Sequence, residues 1–391
     1  MADTDDHRPW AMLVTRNFPP LLGGMERLNT YLLDSLKRVW RVSMCGPEGA
    51  AHYAVAADDI REIKVSPLAT FLVKSLWHAG RMAIRRRPQW IIAGSGLMAP
   101  IVWLSSRCSG ARAAVYLHGL DVVAPSVIYR WLWLPFIRRC DVVIVNSRAT
   151  MALALDKGVP SARMTVINPG TGIPALNPRD AAQFRIAHGL GDAPLMLSVG
   201  RLTQRKGLAE FVTSALPGIL KVRPDALLLV IGDEARDALH GGGGGEKEKI
   251  LCVARAAGVA GSIRFLGRCD EDVLQAAYQA SDVHVFPVLN LPGDVEGFGM
   301  VALEAAAHGL PSVAFDVGGV SDAIRPAETG SLVMQGDYPE FGAQVLRYTG
   351  QPELRESMKE ACLAFARSKA WPVFTRNVLM ALEQHVDDGR A

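Results

Sequence analysis

Four short stretches carry residue types suited to holding a long, negatively charged ligand. In EGFGMVALE, Glu296 and Glu304 stand eight positions apart, with Gly297 and Gly299 between them. A strand-like run, VHVFP (283–287), and a turn-rich stretch, NLPGDVEG (290–297), precede a helix expected to begin near Gly299. Unpaired N–H groups and partial positive charge at a helix start favour anions and hydroxyls, and glycines there let a ligand reach the backbone. Glu304 falls about five residues along that helix, roughly 7–8 Å from its start. One carboxylate can meet one part of a ligand and the other a second part. A carboxylate accepts two hydrogen bonds side by side, as a ribose 2′,3′ diol would offer. The plainer alternative is an acid favoured by the helix dipole and a solvated glutamate on a helix face.

SVGRLTQRKGLAEF (198–211) is the second stretch. Arg201 and Lys206 flank a loop that leads from a strand into a helix, the arrangement expected for a diphosphate. It is not a Walker A loop, because GRLTQRKG lacks the G-x-x-x-x-G-K-[ST] order. The third is NFPPLLGGMERL (17–28), where Gly24 opens a helix after a proline-rich loop. The fourth is YLHGLD (116–121), which puts His118 and Asp121 at a strand's carboxyl end. Surface cations, a tight turn and a hydrogen-bonding structural histidine are the alternatives for these three.

These residues need elements to position them. The chain has 391 residues and 42.2 kDa, enough for two domains, and 49% hydrophobic with 21% charged residues suits sizeable soluble cores. A net charge of +3 and a pI of about 8.5 lack the basic concentration of a nucleic-acid binder, so no nucleic-acid partner is expected. Cys45, Cys108, Cys140, Cys252, Cys269 and Cys362 form no C-x-x-C pair, which argues against a zinc site or a disulfide framework. MADTDDHRPW lacks an apolar core, so no secretory leader is expected, and no apolar run reaches the ~18 residues of a membrane span.

Strand-like runs at 11–15, 41–45, 90–94, 113–117, 142–146 and 164–168 alternate with helical patterns near 25–38, 68–86, 127–139 and 148–157. A loop-like stretch, PGTGIPALNPRD (169–180), reads as a linker. A second set of strands follows at 195–200, 226–232, 262–267, 283–287 and 311–315, with helices near 207–220, 246–257, 271–280 and 299–308. HGGGGGEKEK (240–249) reads as a mobile loop ahead of a helix. The pattern predicts an α/β protein of two Rossmann-like, doubly wound domains facing a cleft, with ligands beyond the strands' carboxyl ends.

Together the four stretches resemble the family 4 retaining glycosyltransferases of the GT-B fold, over residues 11–380. EGFGMVALE is similar to the family's E-x7-E motif, SVGRLTQRKG to its phosphate loop, GGMERL to its Gly-Gly loop and HGLD to its His-Gly element. The resemblance implies an N-terminal acceptor-binding domain over 1–175 and a nucleotide-sugar domain over 190–366. It also implies a last helix over 367–391 that crosses back to the first domain. Arg201 and Lys206 would hold the donor diphosphate, and Glu304 the ribose diol. Glu296 and the backbone of Gly297, Phe298 and Gly299 would hold the donor sugar's hydroxyls, and Met300 and Val301 would also belong to the donor-binding set. Gly24 would approach the diphosphate, and His118 would lie near the transferred sugar. The catalytic set is then Glu296, His118, Arg201 and Lys206. INPGTGI and Gly232-Asp233-Glu234 depart from the family's usual turns, so no base-binding residue is assigned.

The implied reaction moves a hexose from a UDP- or GDP-sugar to a glycan or lipid-linked acceptor with retention, in polysaccharide, lipopolysaccharide or glycolipid assembly. No cofactor and no metal are expected. Arg201 and Lys206 offset the leaving group's charge, and the D-x-D strings at Asp3–Asp5 and Asp270–Asp272 read as a frayed end and a helix cap. Rival readings are a nicotinamide dehydrogenase, a GT-B sugar-nucleotide epimerase or phosphorylase, and an inactive lectin-like module. PGTGIPA offers Gly170, Gly172 and Ala175 as a dinucleotide fingerprint, but Pro174 and Pro178 oppose the helix it needs. Basic amphipathic segments at 66–88 and 129–139 fit either core-packing helices or contact with anionic membrane. The expected location is cytoplasmic, peripheral at the inner face of the membrane.

Overall fold

The computed structural model describes residues 7–123, 127–234 and 245–387. Asp3, Asp5 and the glycine run through residue 244 lie outside the described residues. The chain forms two compact units, Met1–Gly170 with Trp371–Ala391, and Thr171–Ala370. The division therefore falls at 170/171 and 370/371, where the sequence suggested 175, 190 and 366/367.

The first unit holds β1 (Trp10–Val14), β2 (Arg41–Pro47), β3 (Asp59–Ile63), β4 (Trp90–Ala93), β5 (Arg112–Leu117), β6 (Val142–Val145) and β7 (Met164–Val166). They form one parallel sheet in the order β3-β2-β1-β4-β5-β6-β7. The second unit holds β8 (Leu195–Val199), β9 (Leu227–Ile231), β10 (Ile263–Gly267), β11 (Val283–Phe286), β12 (Ser312–Phe315) and β13 (Gly330–Val333). Its parallel order is β10-β9-β8-β11-β12-β13. Both orders reverse direction once, between β1 and β4 and between β8 and β11. Those are the switch points where open α/β sheets bind ligands.

The central strands are apolar on both faces because helices cover both sides. Trp90–Ala93, Val142–Val145, Val283–Phe286 and Ser312–Phe315 are buried throughout. The strands absent from the sequence reading, DIREI at β3 and GSLV at β13, are both sheet edges. DIREI has the burial pattern of a half-solvated edge and so lacks a long apolar run.

Two expected helices are broken. The segment near 207–220 divides into Leu208–Ser214 and Leu216–Val222, and that near 127–139 into Val127–Leu132 and Leu134–Arg139. Pro217 and Pro135 occupy the first turn of the second piece in each case, where their missing N–H does no harm, but neither can continue the preceding helix. The expected linker is shorter than predicted. Asn177 caps a helix, Pro178–Ala187, accepting the Arg179 N–H at 3.1 Å. The final helix, Trp371–Asp387, belongs to the first unit. Trp371 stacks on Tyr31 with ring centroids 3.8 Å apart, and Ser35 Oγ lies 2.8 Å from Thr375 Oγ1.

Candidate functional site

In the second unit the chain leaves β8 through Gly200 and Arg201 and makes a short turn, Gln204–Lys206. It then enters the helix Leu208–Ser214 through Gly207. Gly207 has φ of 64°, and a Cβ there would stand 2.0 Å from the Pro287 carbonyl oxygen. Only glycine lets this loop lie against the end of β11. Gly232 does the same for β9, since its Cβ would fall 1.9 Å from the Gly200 oxygen. The loop thus sits at the switch point, beside a small hollow lined by Ser198, Gly200, Arg201, Lys206, Val230 and Phe286.

Glu296 reaches this loop from the segment after β11. Lys206 Nζ donates to Glu296 Oε2 at 2.8 Å, and Arg205 Nη1 donates to the same oxygen. Arg205 Nε also lies 2.9 Å from Asp294 Oδ1. The Glu296 side chain is 13% exposed. Burial alone would raise its pKa, but Lys206 and Arg205 outweigh burial and hold the carboxyl at about 2. Burial lowers the Lys206 pKa; Glu296 opposes that, while Arg205 and Arg201 reinforce it. Lys206 Nζ also stands 4.7 Å from the centre of the Phe286 ring. Below lies His284, wholly buried, with Nδ1 3.0 Å from Ser312 Oγ. Burial and then Lys206 push its pKa down to about 3, so it is neutral near pH 7.

The Glu296 backbone is clamped from the loop after β12. The Gly319 N–H donates to the Glu296 carbonyl at 2.8 Å. Side chains at Gly318 and Gly319 would stand 2.4 Å from the Glu296 oxygen and 2.0 Å from the Gly297 oxygen. Phe298 is buried, and Gly299, at φ of 93°, starts the helix Met300–Ala307. Met300 and Val301 form its first turn, and Glu304 lies one turn on. The Tyr278 hydroxyl, from the helix Glu271–Ala280, donates to Glu304 Oε2 at 3.1 Å. Arg201 is exposed and has no ion-pair partner among the described residues. Three cations (Arg201, Arg205 and Lys206) therefore face two carboxylates (Asp294 and Glu296), leaving one positive charge for an incoming anion.

In the first unit, Gly24 is the first residue of the helix Gly24–Lys37. Asn29 of that helix is fully buried, its Nδ2 2.8 Å from the Asn17 carbonyl oxygen and 3.2 Å from that of Gly94. It ties the loop after β1 to the end of β4. His118, at the end of β5, donates from Nε2 to the Gly94 oxygen at 2.9 Å. A carbonyl oxygen only accepts, so that bond fixes a proton on Nε2. Asp121 Oδ2 accepts the His118 backbone N–H at 2.9 Å.

Lys206 and Glu296 are thus in direct contact, with Arg201 on the same loop as Lys206 and Glu304 on the helix that follows Glu296. Gly24 and His118 belong to the other unit. The sequence reading did not single out Arg205, Asp294, Tyr278, Asn29 or the Gly318–Gly319 pair. The only signals for them are a second cation beside Lys206 and a glycine pair after a strand. Asp270 of the second D-x-D string caps its helix, accepting the Val273 N–H at 2.9 Å. No helix directly follows PGTGIPA.

Residues 180–363 match the profile of glycosyl transferases group 1, and residues 22–172 that of Glycosyltransferase Family 4. A GDP-mannose-dependent alpha-(1-6)-phosphatidylinositol monomannoside mannosyltransferase of Mycolicibacterium smegmatis is 30% identical over 95% of this chain and 97% of its own length. The protein of the same name from Mycobacterium tuberculosis is 31% identical over 82% and 84%. Among solved structures, Anabaena HepE in complex with UDP and glucose superposes with a TM-score of 0.78 at 20% identity, covering 96% of this chain and all of that one. Sucrose-phosphate synthase of Thermosynechococcus elongatus gives 0.77 at 21% identity, covering 97% of this chain and 100% of that one. The fold is that of the GT-B enzymes. With both halves matched and a relative aligned along nearly its full length, the chain belongs to glycosyltransferase family 4.

Proposed function

We propose that this glycosyltransferase is a retaining hexosyltransferase that takes a nucleoside-diphosphate sugar and glycosylates a glycolipid, without a metal ion. The observation that carries this reading is the cluster of Arg201, Arg205 and Lys206 at the β8 carboxyl end, beside Glu296. Cleaving the anomeric bond leaves negative charge on the diphosphate and positive character on the sugar. Fixed cations on one side and a carboxylate held ionised on the other answer both. In this proposal Arg201 and Lys206 bind the diphosphate, with Gly24 close to it. Glu304 binds the ribose diol. Glu296 and the backbone from Gly297 to Val301 bind the sugar, and His118 meets its hydroxyls. The acceptor hydroxyl attacks the anomeric carbon on the face the diphosphate leaves, and its proton passes to the departing phosphate oxygen.

The relatives aligned along most of the chain are named for GDP-mannose, which favours a GDP-mannose donor. A UDP-hexose is the second choice, because the HepE structure holds UDP and glucose. The membrane-linked acceptor places the enzyme, in this reading, at the cytoplasmic face of an anionic membrane. No helix among the described residues is long and apolar enough to cross one. A thermal-shift panel of nucleotide sugars tests the donor, since binding raises the melting temperature by linkage. GDP-mannose should give the largest rise, and a panel with no rise at all rejects the reading. Product NMR should show the donor's anomeric configuration, and EDTA should leave the rate unchanged. Inversion, or loss with EDTA and recovery with magnesium, would overturn those parts.

A further inference from the structure

The helix Leu68–Arg86 is apolar on two sides. Phe71, Ser75, Ala79, Met82 and Ala83 face the core. On another side Val73, Trp77, Gly80 and Ile84 recur at intervals of four, three and four, one helical stripe. Their side chains do not pack away: Val73 is 69%, Trp77 61% and Ile84 60% exposed. A helix of a soluble domain normally shows water a polar face there. Beside this stripe a groove of about 680 Å³ runs between this helix and the helix Ala99–Ser109, with Leu76, Trp77, Gly80, Arg81, Ile84 and Leu104 in its lining. A Cβ on Gly80 would meet nothing within 4 Å, so the groove is open at that point.

The two helices that line the groove carry charge of one sign. Residues 63–120 contain no Asp or Glu but eight Lys and Arg. On the neighbouring strand β3, Asp59 is taken up by Arg61, Arg85 and Arg86, and Glu62 accepts the Ala51 N–H at 2.6 Å. Lys74, Arg81 and Arg107 are exposed and have no ion-pair partner among the described residues. Arg81 lies over the Trp77 ring at 5.9 Å. Apolar side chains in a groove that also holds Arg81, a cation with no ion-pair partner among the described residues, match a molecule that is apolar along its length and anionic at its end.

We propose that this groove takes an acyl chain of an anionic membrane phospholipid, with Trp77 entering the hydrocarbon boundary and Arg81 meeting the phosphate. This deepens the membrane-contact reading above and rests on it, but not on the sugar-transfer reading. Single apolar contacts bind a membrane only marginally, so the cations and the groove must act together, and high salt weakens the contact.

The test uses the full-length protein, with no donor or acceptor present, so its result is independent of transfer activity. Vesicles of phosphatidylglycerol, of phosphatidylcholine, and of phosphatidylglycerol brominated in the chains are compared by sedimentation and tryptophan fluorescence. The expected result is binding at least tenfold tighter to the anionic vesicles, with quenching by the brominated chains that Trp77→Phe removes. Gly80→Leu fills the groove and replaces a helical glycine, so its melting temperature should hold or rise while vesicle binding falls tenfold or more. Its transfer to a water-soluble acceptor should not change. If Gly80→Leu fails to fold, Trp77→Phe with chain bromination decides alone. Three outcomes overturn the proposal: no binding to anionic vesicles, binding unaltered in both variants, or a dimer that Gly80→Leu dissociates.

Discussion

Lys206 Nζ stands 2.8 Å from Glu296 Oε2, and Arg205 donates to the same oxygen, so the site carries its own anion before a ligand arrives. A phosphate that takes Lys206 therefore competes with Glu296. The freed carboxylate would then face the sugar, where positive character develops.

This relationship predicts a split between two substitutions. Glu296→Gln keeps the shape but removes the charge, and turnover should fall about 100-fold or more with donor affinity held or improved. Lys206→Ala should weaken nucleoside diphosphates on the order of 10- to 100-fold and leave the nucleoside itself unaffected. Initial-rate kinetics with calorimetry on both variants check this. Equal losses in both constants for both variants would contradict the assignment.

The same contact sets an acid limb of stability. Glu296 has a folded pKa of about 2, below the ordinary glutamate value of ~4.3. A depressed carboxyl stabilises the fold above its unfolded pKa, and that contribution is lost as pH falls toward the folded value. Urea unfolding of the wild type should weaken from about pH 4.3 to 2, and Glu296→Gln should flatten that slope.

Tyr278 should act through Glu304. Glu304→Ala is expected to abolish the preference for a ribonucleotide over its 2′-deoxy form. Tyr278→Phe, which removes the 3.1 Å hydrogen bond, should reduce the preference only a few-fold. Binding of the paired nucleotides to each variant measures it, and an unchanged preference in Glu304→Ala rejects the ribose role.

Gly207→Ala should be severe. Its Cβ would meet the Pro287 oxygen at 2.0 Å from a left-handed backbone. The clash and the strain together suggest a loss of roughly 2–5 kcal/mol, measurable by denaturant unfolding. A stable variant with normal donor binding would show that the loop can shift without harm.

Much of this arrangement was legible because buried parallel strands must be apolar. VHVFP, VVIVN and PSVAF announce themselves, and helices such as 68–86 end where the apolar period ends. DIREI escaped notice because Asp59, Arg61 and Glu62 break any apolar run, and GSLV because only Leu332 and Val333 in it are apolar. Proline explains the two divided helices, a signal present in the sequence but outweighed by hydrophobic period. At the site, Arg201 and Lys206 stood out by their place in a strand–loop–helix turn. Arg205 did not, since sequence spacing does not say that the cation beside Lys206 also turns toward a carboxylate some ninety residues away. Asn29 was hidden for a related reason: its partners are backbone oxygens on two other elements, which leave no trace in residue type.

The first unit is built from both ends of the chain, with residues 171–370 intervening before Trp371 comes to rest on Tyr31. On a ribosome adding ~5–20 residues per second, the stretch from Lys37 to Trp371 leaves the Gly24–Lys37 helix without its partner for roughly 17–67 s. The nascent amino-terminal sheet must wait, partly dressed, while the whole second unit emerges. Chains stalled before residue 371 should accordingly be cut by protease around Tyr31 and held by chaperones, and release of the full chain should end both.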